Sequence, residues 1–362
     1  MTPPHTPSSV DVMTDNDKKT IPAPGSTSIV LARRPSGRLV AADLEDRVVP
    51  RPEPGPGQIL VRTLAAIVAP GQRAFMGGET FRAGLGLGET VPGEIVAVVT
   101  STAEGGPDIG TVVTCFGGWA EYFAVPVASV HPVAVSPVPL IEQLGLLGPN
   151  GLAAYLGMID VGRVSAGETV IVSAAAGAVG HYAGQIAKAA GARVVGITGS
   201  TEKNDVLVRD LGFDAALDRR SPSFEHDLAA ACPDGVDVFF DSVGGSVLEA
   251  VLPQMNVFGR IVCCGSVSEY DGDEPRPGVA GVPMLVVTKR LTMQGFLVDD
   301  FGERRADALE ALTSWYLAGV VTTRTTLVEG LLAAPAALIG NLAGRNVGQT
   351  IVRVIQDARL DA

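Results

Sequence analysis

The chain has little of what zinc or disulfide chemistry needs: four cysteines and four histidines stand in 362 residues. Cys115, Cys232, Cys263 and Cys264 form no Cys-x-x-Cys pair, and the adjacent two lie in an apolar strand-like run whose successive side chains point to opposite faces. They read as small buried hydrophobes. His5, His131, His181 and His226 are equally isolated, at no spacing that would gather ligands, so no metal is expected. Basic residues are also scarce. With 27 Lys and Arg against 39 Asp and Glu, the net charge is −12, and no basic run could neutralise a phosphate backbone; no nucleic-acid partner is expected. No apolar run reaches the roughly 18–20 residues of a membrane span, which argues against a membrane association.

Two catalytic signatures are missing as well. None of Tyr122, Tyr155, Tyr182, Tyr270 and Tyr316 is followed four positions later by Lys, which excludes the Tyr-Lys pair of short-chain reductases. No Gly-x-Ser-x-Gly elbow offers a hydrolase nucleophile.

What is present is apolar and long enough for two cores, at 46% hydrophobic residues. Residues 1–28, rich in Pro, Ser, Thr and Asp and without the apolar stretch of a secretory signal, read as a disordered tail of a cytoplasmic protein. Residues 29–150 read as short alternating or apolar runs broken by Gly and Pro, a β-rich domain. Within 151–318 the texture changes to apolar strand, small-residue turn and amphipathic helix in alternation. That is the signature of a doubly wound parallel sheet in an α/β protein. Its expected strands are Thr169–Ser173, Arg193–Thr198, Ala215–Asp218, Val236–Asp241, Arg260–Cys264 and Leu291–Leu297, with a long helix at Glu303–Ala318. From 319 to 362, β-like runs at Thr323–Val328 and Gln349–Ile355 are expected to rejoin the first domain, leaving a cleft between the two.

The strongest local signal is the strand that runs straight into Ala175-x-Gly177-Ala178-Val179-Gly180 and opens a helix. Gly177 would let backbone approach a pyrophosphate at the helix N-terminus, and Gly180 would let helix and strand pack closely. A glycine pattern in that context favours a dinucleotide over a mere tight turn. The second strand ends in Gly199-Ser200-Thr201-Glu202-Lys203, with no carboxylate at its tip for a ribose diol. Hydroxyls and the Lys203 cation suit a 2′-phosphate, hence NADPH. The alternative for Lys203, a solvated side chain on a first helical turn, stays open. A zinc alcohol dehydrogenase of this architecture would carry Gly-His-Glu where the chain reads Pro92-Gly93-Glu94.

These features resemble the zinc-independent medium-chain dehydrogenases/reductases, in particular the NADPH-dependent prostaglandin and leukotriene reductases, alkenal double-bond reductases and curcumin reductases. The resemblance rests on Gly118-Trp119-Ala120-Glu121-Tyr122, Gly151-Leu152-Ala153-Ala154-Tyr155, Gly184-Gln185-Ile186-Ala187-Lys188 and Asn346-Val347-Gly348. It implies a Rossmann domain beside a GroES-like domain, a homodimer joined through the cofactor domains, and a small enone, enal or quinone-like substrate. By the same resemblance Lys203 matches a 2′-phosphate lysine and Asn346 a residue near the pyrophosphate and nicotinamide. Ser242, in Asp241-Ser242-Val243-Gly244-Gly245, stands where the family has Asn beside the cofactor. The run Cys264-Gly265-Ser266-Val267-Ser268-Glu269-Tyr270 matches a segment beside the nicotinamide that carries a substrate-facing tyrosine. Tyr270 is therefore the catalytic candidate, its alternative being a wall of the cleft without chemistry.

One departure is marked: Ala69-Pro70-Gly71-Gln72-Arg73 replaces the family's Asp-Pro-Tyr-Met-Arg, so a tyrosine becomes Gly71 and the pocket is expected to be enlarged or reshaped. The activity implied is hydride transfer from NADPH to the β-carbon of an α,β-unsaturated ketone or aldehyde. A quinone reductase, a biosynthetic reductase of an iminium or polyketide intermediate, and a non-catalytic NADPH-binding protein are the other readings.

Overall fold

The computed structural model describes residues 25–360 apart from 79, 81, 134–135, 272–278 and 280; the tail expected before them lies outside the described residues up to residue 24. The first strands are β1 (Gly25–Leu31), β2 (Leu44–Pro50), β3 (Gln58–Val68), β4 (Pro92–Ser101), β5 (Val112–Gly118), β6 (Tyr122–Pro126) and β7 (Val130–Pro132). Strands β3, β4, β5 and β7 follow one another in an antiparallel sheet, β6 also pairs with β3, and β1 and β2 form a separate ribbon. The start expected at Ile29 moves back to Gly25. Ordering of that segment has a visible cause, since the Thr27 N–H donates to the Glu121 carboxylate at 2.7 Å and the Ile29 N–H to the Trp119 carbonyl at 2.8 Å.

The Gly-Trp-Ala-Glu-Tyr run is thus a structural lock. Trp119 is fully buried and donates from Nε1 to the Ile67 carbonyl at 3.1 Å. Gly118 has φ of 148°, and a Cβ there would lie 2.2 Å from the Val91 carbonyl oxygen, so only glycine fits.

The second sheet is all parallel: β8 (Thr169–Val172), β9 (Arg193–Thr198), β10 (Ala215–Asp218), β11 (Val236–Asp241), β12 (Met255–Cys263) and β13 (Thr292–Gly295). The order across it is β10-β9-β8-β11-β12-β13, the 3-2-1-4-5-6 arrangement whose crevice lies where the order reverses, between β8 and β11. Burial on both faces explains the near-continuous apolar strands. Val170, Val172, Val238 and Phe240 pack with Tyr182 and Ile186 of the helix Gly180–Ala189. Ile171, Val195, Phe239 and Ile261 pack on the other face with Leu228 and Val251. Cys264 and Cys263 contribute to these opposite faces in turn.

β12 begins at Met255, five residues before the expected start, and the long helix spans Arg305–Leu317. After it, β14 (Thr325–Glu329) runs parallel to β15 (Gln349–Arg353), which pairs antiparallel with β3. The C-terminal segment therefore completes the sheet of the first domain. No single helix among the described residues is long and apolar enough to cross a membrane.

Candidate functional site

At the end of β8 the chain turns through Ala174, at φ of 45°, into Ala175-Ala176-Gly177-Ala178-Val179 and then into the helix that starts at Gly180. Gly180 is the tight contact, because a Cβ there would stand 2.4 Å from the Ala174 carbonyl oxygen and 2.8 Å from the Ala175 Cα. At Gly177 the nearest atom to such a Cβ is the Ala174 oxygen at 3.0 Å. The turn is thus shaped for close backbone approach, and it delivers residues 178–180 to a helix N-terminus, where N–H groups and the helix dipole attract an anion. Such a cradle fits a dinucleotide pyrophosphate.

The tip of β9 lies one strand away. Ser200 caps the helix Thr201–Asp210, its hydroxyl accepting from the Lys203 N–H at 3.4 Å. Burial lowers the Lys203 ammonium pKa, and Arg220 and Arg219 push it further down. A Cβ on Gly199 would lie 3.5 Å from the Arg220 Nε, so that guanidinium covers the strand tip. Three cations crowded at one strand end make an anion site, and this fits a 2′-phosphate. Arg219 and Arg220 were not singled out from sequence. The readable signal was an Arg pair directly after the strand that borders β9.

The crevice floor is built by the loops after β8, β11 and β12. Asp241 is buried and accepts from the Ser173 hydroxyl at 2.7 Å, the Val243 N–H at 2.9 Å and the Gly244 N–H at 3.1 Å. Burial raises its pKa while those donors oppose the rise. Asp241 thereby shapes the loop on which Ser242 sits. The Ser242 Oγ is buried without a nitrogen or oxygen partner among the described residues, its neighbour for hydrogen bonding being the Cys264 thiol; a hydroxyl so placed fits a cofactor contact. The next loop is knitted to this one by Val267 and Ser268 N–H groups donating to the carbonyls of Ser242 and Val243, both at 3.1 Å.

Tyr270 ends that second loop. Its oxygen accepts the Ser266 N–H at 3.3 Å and lies over Gly265, where a Cβ would be 3.3 Å from the hydroxyl. Burial raises its pKa, so the group stays a phenol at neutral pH. Because the oxygen is the acceptor in its bond to Ser266, the proton remains available for donation.

Asn346 belongs to the segment of the other domain that meets the glycine turn through Gly348. Its Nδ2 donates to the Gly348 carbonyl at 2.7 Å, and the Gly348 N–H donates to the Ala176 carbonyl at 2.8 Å. Ala175–Gly180, Ser242, Gly265 and Tyr270 thus lie on the segments that follow β8, β11 and β12, with Ser200 and Lys203 at the tip of β9 and the Asn346 segment bonded to the turn through Gly348. His181, passed over in sequence as an isolated histidine, proves to be wholly buried beneath the turn.

Gly71 opens the helix Gly71–Gly77, and a Cβ there would meet no atom within 4 Å. At the zinc-like position, burial raises the Glu94 carboxyl pKa against Arg305 and Arg82, and burial pushes the Cys115 thiol up to about 12. Among the described residues no three His, Cys, Asp or Glu groups stand together in a metal-binding cluster.

The family model described as zinc-binding dehydrogenase matches residues 178–314, and that described as N-terminal domain of oxidoreductase matches residues 27–133. The NADPH-dependent curcumin reductase of Escherichia coli (strain K12) is 36% identical over 336 residues, covering 91% of this chain and 96% of its own. Prostaglandin reductase 1 of Mus musculus is 41% identical over 271 residues, covering 74% and 82%. Among solved structures, CurA of Vibrio vulnificus in complex with NADPH aligns with a TM-score of 0.87 at 34% identity, over 91% of this chain and all 100% of that one. Since likeness of this degree runs through both domains and across the cleft between them, the chain belongs to the medium-chain dehydrogenase/reductase superfamily.

Proposed function

We infer that the protein is an NADPH-dependent oxidoreductase that reduces the carbon–carbon double bond of α,β-unsaturated ketones or aldehydes. Relatives named as curcumin and prostaglandin reductases support the reaction class, and the NADPH complex of the Vibrio protein supports the cofactor. When bound, NADPH supplies the hydride that reaches the substrate β-carbon.

The chain's own residues do the rest. Residues 175–180 would hold the pyrophosphate, Ser200, Lys203 and Arg220 the 2′-phosphate, and Ser242, Gly265 and Asn346 would border the nicotinamide end. As the β-carbon is reduced, negative charge gathers on the carbonyl oxygen, and in a dry cleft it requires a donor. Tyr270 is that donor. The observation that carries this reading is its hydroxyl geometry: anchored by the Ser266 N–H, with its own proton unspent. A panel of enals, enones and quinones, followed by loss of NADPH absorbance with products identified by mass, tests it. Dihydro products are expected, and NADPH oxidation without them would reject double-bond reduction.

Open space at Gly71 favours a second reading of the acceptor, as bulkier than a simple enal: a quinone, an iminium or a polyketide intermediate. In that case Gly71→Tyr raises KM for the bulky members of the panel and spares the small ones.

We also propose a homodimer formed through the cofactor domains. The edge strand β13 is exposed along its length, and Met284, Val287, Met293 and Phe258 are exposed apolar side chains of that domain. An unpaired edge beside exposed apolar groups is a ready pairing surface. A reductase drawing on NADPH works where that cofactor is kept reduced, and the cytoplasm is the proposed location.

A further inference from the structure

We propose that His181 is a positioning residue that ties the pyrophosphate turn to the hinge between the two domains, so that dinucleotide binding and domain orientation are coupled. The proposal rests on the cofactor assignment above and adds a residue and a route to it.

His181 lies in the first turn of the helix Gly180–Ala189 and is fully buried. Its Nδ1 is 2.8 Å from the Gly177 carbonyl oxygen, and its Nε2 is 3.3 Å from the Arg324 backbone nitrogen. An N–H can only donate, so Nε2 accepts from Arg324 and Nδ1 must carry the proton given to Gly177. The partners therefore select one neutral tautomer. At one end of the ring stands the glycine of the pyrophosphate turn. At the other stands residue 324, in the segment by which the chain leaves the helix Arg305–Leu317 and enters β14 of the first domain.

The next turn of the same helix repeats the connection. Gln185 accepts through Oε1 from the Thr322 N–H at 2.8 Å and the Thr322 hydroxyl at 3.1 Å, and donates through Nε2 to the Thr322 carbonyl at 3.0 Å and the His181 carbonyl at 2.7 Å. From Arg324 the chain of contacts continues, because its carbonyl accepts the Gln349 N–H at 2.9 Å. The Gln349 side chain donates to the Thr325 hydroxyl at 2.9 Å and accepts from Asn150 Nδ2 at 3.5 Å, where the chain first crosses between domains. Finally Gly348, next to Gln349, donates to the Ala176 carbonyl of the turn itself.

The turn, both crossings and the Asn346 segment are thus one hydrogen-bonded unit, with His181 joining its two halves. Its side-chain anchors His181, Gln185, Asn150 and Gln349 are buried, so displacing their partners would leave these polar groups unsatisfied away from water. A rotation of the domains that moved residue 324 would have to break the His181 bond or drag the Gly177 carbonyl with it. By linkage, whatever the bound dinucleotide does to the hinge, the hinge does to the dinucleotide's affinity.

The test is hydrogen exchange of the segment 322–325 with and without NADPH, together with NADPH titration, on the full chain and its variants. In the unaltered protein NADPH slows exchange at both 322–325 and the 2′-phosphate end, 199–204. In His181→Leu the NADPH Kd rises about tenfold and the slowing at 322–325 disappears, while that at 199–204 persists. His181→Gln, which keeps a donor and an acceptor at the far end of the side chain, restores both to within about threefold of the unaltered protein. Gln185→Leu is the second variant should His181→Leu not fold, and it too loses the slowing at 322–325. Folded His181→Leu or Gln185→Leu with unaltered Kd and unaltered protection at 322–325 overturns the proposal, as does a loss in His181→Leu that Gln fails to rescue. An unaltered protein that binds no NADPH at all overturns the cofactor assignment instead.

Discussion

Arg73 and Asp271 form an ion pair between the two domains, Nε to Oδ1 at 3.3 Å, with side chains 6% and 18% exposed. Arg73 belongs to the helix Gly71–Gly77 of the first domain, and Asp271 directly follows Tyr270 of the second. Each is held further: Arg73 donates to the Gly37 carbonyl at 2.7 Å, and Asp271 accepts the Leu39 N–H at 2.6 Å. The loop that presents the candidate hydrogen-bond donor is therefore clamped to the opposite domain.

Removing one member of a buried pair leaves the other charge uncompensated, at a cost of roughly 3–5 kcal/mol. Asp271→Ala should fall at the lower end, about 3 kcal/mol, because Arg73 keeps the Gly37 carbonyl. Chemical denaturation measures the loss, and turnover should fall with it as Tyr270 loses its anchor. Stability within 0.5 kcal/mol or so of the unaltered protein would show that the pair contributes nothing net.

Tyr270→Phe keeps the ring and deletes the hydroxyl. Loss of an oxyanion donor costs roughly 2.7–4 kcal/mol in comparable sites, so the turnover number should drop on the order of a hundredfold with the NADPH Kd preserved. Near-full turnover, under conditions where hydride transfer limits the rate, would reduce Tyr270 to a wall of the cleft.

Cofactor choice can be read from the cation cluster at the tip of β9. Lys203→Ala should weaken NADPH binding by about ten- to a hundredfold and leave NADH unchanged, and Arg220→Ala should act in the same direction. Fluorescence titration distinguishes this from a general loss. Equal weakening of both cofactors would place neither side chain at the 2′-phosphate.

Burial pushes the His181 imidazole down to about 4 from 6.5, against its bonds to backbone and with the Arg324 guanidinium adding to the fall. Between those two values the unfolded chain holds a proton that the folded one refuses, so stability rises with pH across this window. The full contribution is present above about pH 6.5 and is lost as the pH falls toward 4. From pH 7 to pH 5 the loss attributable to this residue is about 2 kcal/mol. His181→Gln should flatten the stability profile by that amount, as measured by denaturation at the two pH values.

Zinc removal should be without consequence. Elemental analysis is expected to find no stoichiometric zinc, and chelators should leave activity unchanged. One tightly held zinc per chain, required for turnover, would mean that Glu94 or Cys115 belongs to a metal site.

Local pattern carried much of this molecule. The apolar strands β8, β9, β10 and β11, the turn at 175–180 and its helix were legible because strand burial, glycine sterics and helical periodicity act within a few residues of one another. Lys203 and Ser200 were singled out by the same local logic, lying at the end of a strand whose partner motif had already been found, and their part in cofactor binding is a proposal. Tyr270 and Asn346 were proposed only through resemblance, since nothing in their own neighbourhoods of sequence sets them apart from other loop residues. What tertiary structure alone decided was the set of contacts between distant segments. Arg220 covers the tip of β9 because parallel strands place their ends side by side, and no spacing rule records that. Arg73 meets Asp271 across 198 positions, and His181 meets Arg324 across 143. Both pairings join the two domains, and the His181–Arg324 pairing exists because the chain's final strands return to the first sheet. A lone histidine in sequence carries no signal; between the Gly177 carbonyl and the Arg324 N–H, out of water, its tautomer and its charge are both determined.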